Sequence, residues 1–236
     1  MTARLRGPLT LALGVGALAH AAPVASGIPA LRGWWPTLAG RGRPGHVALT
    51  FDDGPDARGT PEILDVLADH GVRATFFVLG AMVSRHPDVL RRVAAEGHEV
   101  AVHSWDHRNH LLRLSAYDQL ARTVAVIEST AGVRPRYCRP PYGAMSGGHL
   151  LAARRLGLQP VLWTSWGRDW EGPATAASVS ALALSQLHSG GTILLHDSDC
   201  TSSPDSWRAT VGALPILLAA CRERGLTPGP VREHGL

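Results

Sequence analysis

From His46 onward the chain alternates short apolar runs with helix-forming segments, and that alternation restricts the fold more than any other feature of the sequence. Strand-like runs are read at residues 46–53, 73–80, 98–104, 136–139, 160–166 and 191–197. Helices are read between and after them, at 61–70, 87–96, 115–130, 148–156, 175–188 and 207–224. Pro61 and Pro87 suit helix starts, Ser115 is a candidate N-cap, and Gly71, Gly97 and Gly157 are helix stops. A β–α alternation of this kind implies a parallel sheet, open or closed into a barrel. The 236 residues suffice for one such α/β domain.

The ends of the predicted strands separate these possibilities. Asp52 and Asp53 close the first strand, His103 the third, Arg139 the fourth and His196-Asp197 the sixth, while Asp169 follows the fifth. In a parallel barrel all these ends meet on one face, where barrel active sites lie. Residues nearly 150 positions apart would then share one cleft.

Outside this region the sequence is less specific. Arg4 and Arg6 precede an apolar run from Leu9 to Ala19, and Ala19-His20-Ala21 follows as a small-x-small cleavage pattern. Residues 1–21 therefore read as a secretory signal peptide. The run is too short for an ordinary membrane span, although an uncleaved anchor is the alternative. Residues 22–44, rich in Pro, Gly and Ala, read as a linker, and 45–236 as the folded domain. The net charge is +4 and every basic residue is arginine. The arginines are scattered and form no basic stripe, which argues against a nucleic-acid partner. Cys138, Cys200 and Cys221 lack the spacing of a zinc ribbon or redox pair. In an exported protein Cys200 and Cys221 could form a disulfide.

Five short motifs carry the chemistry. In Thr50-Phe51-Asp52-Asp53-Gly54-Pro55 two adjacent carboxylates follow an apolar strand, and their mutual repulsion calls for a nearby metal ion or arginine. His103 and His107 have the i, i+4 spacing that puts two imidazoles on one face of a helical turn. Two histidines and one carboxylate with open positions suit a catalytic metal rather than a structural one. Arg139-Pro140-Pro141-Tyr142 places a guanidinium on a loop stiffened by prolines. Asp169-Trp170 and Leu194-Leu195-His196 complete the set.

In this order the motifs resemble those of the polysaccharide deacetylases of the NodB-homology group, carbohydrate esterase family 4. The resemblance covers residues 46 to about 226 and includes Ala74–Gly80. It implies a distorted (β/α)7 barrel that hydrolyses N-acetyl groups of an amino-sugar polymer. It implies Asp53, His103 and His107 as metal ligands for a divalent ion, zinc in most of the family and cobalt as a substitute. Asp52 becomes the general base held by Arg139, and His196 the general acid oriented by Asp169. Tyr142 would offer its backbone N–H to the oxyanion. Pro141 and Tyr142 would contact the substrate, and Trp170 and Leu195 would shape the pocket for the acetyl methyl. In one stretch the chain departs from the family pattern, with Ser165-Trp166-Gly167 where an acid is usual. The expected partner is an N-acetylated glycan, chitooligosaccharide or peptidoglycan, met by a monomer outside the cytoplasm, secreted or in the cell envelope. The alternatives are an O-deacetylase acting on acetylxylan, an amidohydrolase of small molecules and a glycan-binding barrel without activity.

Overall fold

A computed structural model describes residues 16, 18–28, 33–109 and 116–236. Most of the proposed leader, and Ser115 with its capping role, lie outside the described residues. Among the described residues there are eight strands: β1 His46–Asp52, β2 Thr75–Leu79, β3 Glu99–Ser104, β4 Tyr137–Cys138, β5 Gln159–Pro160, β6 Ser165–Trp166, β7 Thr192–His196 and β8 Thr227–Gly229. The helices are α1 Gly59–Asp69, α2 Gly80–Arg85, α3 Pro87–Ala95, α4 Tyr117–Ala131, α5 Gly147–Leu156, α6 Ala176–Gln186 and α7 Trp207–Glu223. Every strand pair is parallel, in the order β5-β4-β3-β2-β1-β7-β6. The sheet curls into the expected distorted barrel, open between β5 and β6.

Side-chain alternation along the strands builds two cores. Val47, Leu49, Phe51, Phe76, Val78, Ile193 and Leu195 face the helices. Ala48, Phe77, Ala101, Tyr137 and Val161 point into the barrel, where Val231 packs on them from the C-terminal turn. With both faces covered, all seven residues of β1 are buried, as a central parallel strand requires.

Two differences from the sequence reading have local causes. The single strand expected at 160–166 is split, because Val161 and Thr164 bond away to Cys138 and Thr192 while Leu162 donates to the Leu38 carbonyl. Leu38 thus occupies the gap between β5 and β6. The segment read as linker is accordingly docked near its end: Gly42 donates to Gly190, Arg43 to His234, and the Gly40 carbonyl accepts from Thr192 Oγ1. The short helix α2 follows β2 directly, with no turn residues to announce it.

The Gly- and Pro-rich tail forms a real closing element. β8 pairs with residues 46–48 of β1, on the same side as β2, which pairs with residues 50–52. The turn after it plugs the base of the barrel, with Val231 N–H donating to Thr75 Oγ1 and Arg232 N–H to the buried Glu99 carboxylate. Helix ends follow the expected chemistry. Thr175 and Ser178 form a capping box on α6, and Gly132 and Gly157 end α4 and α5 in the left-handed conformation. All three cysteines are free: Cys221 is buried on the helix side and Cys200 sits at the opposite, open end. The disulfide considered from sequence does not form. Among the described residues no helix is long and apolar enough to cross a membrane.

Candidate active site

The C-terminal ends of β1, β3, β6 and β7 and the loop after β4 surround a cleft of about 230 Å³. Asp53 follows β1 with φ 82°, and this left-handed residue turns the chain sharply so that the two adjacent carboxylates both reach the cleft. Its Oδ1 lies 3.4 Å from His103 Nε2 and 3.4 Å from His107 Nε2. The three candidate ligand atoms fall within 4.8 Å of one another. The His pair is not helical, as its spacing suggested: His103 lies on β3 and Ser104 has φ 115°, a bend that returns His107 to the cleft.

The tautomer of His103 is set by its backbone partner. Its Nδ1–H donates to the Arg139 carbonyl at 3.0 Å, which leaves the Nε2 lone pair toward Asp53. Burial holds His103 well below the ordinary histidine range, and burial likewise lowers His107 against the opposing charge of Asp53. Both shifts favour the uncharged ring. Asp53 Oδ1 is buried with no hydrogen-bond donor, and the Nε2 atoms of His103 and His107 both face it. Two imidazole nitrogens and one carboxylate oxygen form a donor set that fits a divalent cation with positions left open.

Asp52 and Arg139 form a second, coupled unit. The guanidinium is wholly buried and donates from Nη1 to Asp52 Oδ1 at 2.7 Å and to Thr50 Oγ1 at 2.9 Å. Nε and Nη2 donate to the Val161 and Leu162 carbonyls, and the Phe77 ring lies 4.0 Å from the guanidinium carbon. Every face of the ion is therefore occupied, which is what makes a buried charge tolerable. Burial raises the Asp52 carboxyl to about 6 despite the opposing charges of Arg139 and His196. Its free Oδ2 lies 3.8 Å from His103 Nε2.

His196 ends β7, and its Nδ1 is 3.0 Å from Asp169 Oδ1. Asp169 Oδ2 accepts the His196 N–H and the Thr210 hydroxyl, each at 2.6 Å. The carboxylate is thereby fixed from two directions, and a buried histidine beside it is stabilised as imidazolium. Burial alone would lower His196, but Asp169 outweighs it and the ring rises to about 9.

Tyr142 has φ 60° and two-thirds of its surface exposed, with its ring 4.4 Å edge-on from that of His107. Trp163, Trp166 and Trp170 line the other side in succession, at centroid distances of 6.0 and 5.3 Å. Trp105 is absent from the cleft wall and stacks under Arg122 instead. Pro141 is buried behind the loop, whereas Tyr142 and Gly143 line the cleft. On β7 the structure corrects the sequence reading. Leu194 lines the cleft, and Leu195 lies in the helix-side core, because neighbouring residues of a strand face opposite ways and His196 faces inward.

Sequence reasoning missed the loop after β7. Thr201 Oγ1 donates a short bond to Asp53 Oδ2, and Cys200 Sγ lies 3.5 Å from the Asp53 carbonyl. Asp197 is fully enclosed and accepts from Gly54 N–H at 2.9 Å and Thr60 Oγ1 at 2.6 Å, which pins the turn that carries Asp53. Burial pushes Asp197 up to about 7. Only a polar Ser-Asp-Cys-Thr-Ser-Ser stretch at the correct end of a strand could have signalled this loop.

Comparison with known proteins agrees with this geometry. Residues 39–161 match the family model described as polysaccharide deacetylase. A chitooligosaccharide deacetylase of Sinorhizobium fredii is 40% identical over 199 residues, covering 79% of this chain and 90% of that protein. The peptidoglycan-N-acetylglucosamine deacetylase PgdA of Listeria monocytogenes is 38% identical over 161 residues, covering 67% of this chain and 34% of that longer protein. A solved peptidoglycan N-acetylglucosamine deacetylase superposes with a TM-score of 0.76 at 31% identity, covering 84% of this chain and 91% of the other. The fold, the ordered motifs and these relatives together establish that the chain belongs to the polysaccharide deacetylase family, hydrolases of non-peptide carbon–nitrogen bonds.

Proposed function

We propose that this protein removes N-acetyl groups from glucosamine units of chitooligosaccharide or peptidoglycan, outside the cytoplasm, with a zinc ion held by Asp53, His103 and His107. The observation that carries the reading is the convergence of Asp53 Oδ1 with two imidazole nitrogens in a cleft that also contains Asp52 and His196. A bound divalent ion polarises the amide carbonyl and makes a water molecule more acidic.

The chain's own groups supply the proton transfers. Asp52, with Oδ1 held by Arg139, accepts a proton from the attacking water. As the C–O bond forms, the carbonyl electron pair moves onto oxygen, and the Tyr142 N–H donates to it. His196, charged and held at Nδ1 by Asp169, gives its Nε2 proton to the amide nitrogen as the C–N bond breaks. Acetate and a free amino sugar result. The half-buried indole of Trp170 and the exposed Tyr142 stack against sugar faces and hold the chain across the cleft.

The test is acetate release from N-acetylated chitooligosaccharides and peptidoglycan, with acetylxylan as comparison and metal supplied. Release from the amino-sugar polymers supports the reading. Release from acetylxylan alone assigns an O-deacetylase, and no release from any glycan overturns catalysis.

Thr201 gives a separate prediction. Its hydroxyl fixes one Asp53 oxygen and so aims the other. Thr201→Val is expected to weaken zinc binding by about 10–100-fold, and Thr201→Ser to retain it. Competition with a chromophoric chelator measures both.

A further inference from the structure

The carboxylate that holds His196 lies on neither a strand nor a helix. Asp169 follows β6 in a loop, and Arg168 before it is left-handed, with φ 53°. Two helices support this loop. α6 fixes the approach to it. Ser165 Oγ donates to the Ala183 carbonyl at 2.7 Å, Gln186 Nε2 donates to the Trp166 carbonyl at 3.2 Å, and a side chain at Gly167 would strike Val179. α7 reaches the carboxylate itself. Thr210, near the start of that helix, is wholly buried and donates from Oγ1 to Asp169 Oδ2 at 2.6 Å. A threonine inside a helix commonly turns its hydroxyl onto a carbonyl of the preceding turn. A hydroxyl has one hydrogen, and Thr210 directs it away from its own helix to the loop.

Among the described residues Asp169 has three side-chain contacts with donors. Two belong to His196: its backbone N–H on Oδ2 and its Nδ1–H on Oδ1. The third, from Thr210, comes from a separate element. The bonds from His196 fix ring and carboxylate to one another, and the bond from Thr210 fixes the carboxylate to a helix packed in the core. The geometry points to Thr210 as a positioning residue: through Asp169 it sets the direction in which His196 offers its Nε2 proton. The inference rests on the deacetylase reading above. Asp52 and Asp53 also attract the charged ring, but Asp169 is the acid at Nδ1 and so the one that governs its rotation. Proton transfer to the amide nitrogen needs hydrogen-bond reach, and a small misplacement of the donor slows it steeply. Thr210 is not part of the cleft wall, so sugar binding does not depend on it and the effect falls on kcat.

The experiment uses the zinc-loaded protein with an N-acetylated chitooligosaccharide and with 4-nitrophenyl acetate, whose phenolate leaves without a proton. Thr210→Val keeps the shape of the side chain and removes the donor. It is expected to lower kcat on the chitooligosaccharide by about 10–100-fold, with KM and zinc affinity unchanged, and to cost the ester less than about threefold. Thr210→Ser restores the hydroxyl and is expected to stay within about threefold of the wild type on both substrates. Proton NMR gives a reading that needs no turnover. The His196 Nδ1–H resonance, identified by its loss in His196→Gln, is expected to persist in Thr210→Ser and to broaden by exchange with water in Thr210→Val. Wild-type kcat on the chitooligosaccharide in Thr210→Val overturns the inference, as does a resonance as sharp as in the wild type. An equal loss on amide and ester also overturns it and makes Thr210 a support of the fold alone. Thr210→Ala, which adds no bulk, serves if the valine variant does not fold. A wild type that releases no acetate from any glycan removes the deacetylase reading instead, and the resonance then decides whether Thr210 holds the ring.

Discussion

Asp52→Asn is expected to lower acetate release by about 10³-fold or more while zinc affinity stays as in the wild type. The substitution keeps the shape of the side chain and one acceptor for Arg139 Nη1, but an amide cannot take a proton from water. Asp52 is suited to proton removal by its surroundings. Burial alone would keep it protonated, and the Arg139 guanidinium counters that enough to leave its pKa at about 6. Its Oδ1 is committed to Arg139, so one oxygen remains for water. The measurement is steady-state acetate release with a parallel zinc titration. Wild-type turnover in the variant would remove Asp52 from the reaction. Loss of zinc together with turnover would show that Asp52 is itself a ligand.

The second large effect is structural. Arg139→Met is expected to destabilise the protein by about 3–5 kcal/mol, read as a lower midpoint in urea. The guanidinium donates to Asp52, Thr50 and two carbonyls that sit in the gap between β5 and β6. Methionine fills much of the volume but strands the buried Asp52 carboxylate and leaves the Val161 and Leu162 carbonyls without these donors. A broken buried pair costs more than the pair contributed, because one charge remains in low dielectric without compensation. Part of that loss should be regained in Arg139→Met combined with Asp52→Leu, which removes the stranded charge. No recovery in the double variant would mean that the two carbonyls, rather than the ion pair, carry the cost.

Much of this arrangement was legible in the sequence because it depends on local pattern. The alternation of apolar runs and helical segments gives a parallel sheet, and a parallel sheet puts Asp52, Asp53, His103 and His196 on one face whatever its exact closure. The motifs of the family resemblance rest on the same residues. The details that escaped are set by tertiary contacts. The strand expected at 160–166 is divided by hydrogen bonds to Leu38, Cys138 and Thr192, distant in sequence. The sequence reading puts Leu195 in the pocket and the structure puts Leu194 there, because the inward face follows from the pleat and is fixed only once His196 is known to point inward. Thr201, and the partners of Asp197, escaped because a hydroxyl or carboxyl in a polar loop has many possible partners. Only the fold shows that these two hold Asp53 and the turn that carries it. The paired spacing of His103 and His107 suggested a helix, and a bend at Ser104 achieves the same convergence.

Isothermal titration of zinc into chelator-stripped protein, beside His103→Ala, bears on the whole reading at once. One ion bound per chain by the wild type, with binding lost in the variant and acetate release returning as the ion is added back, is the expected result. Equal zinc affinity in both proteins, or full activity after chelation, would contradict a site made by Asp53, His103 and His107.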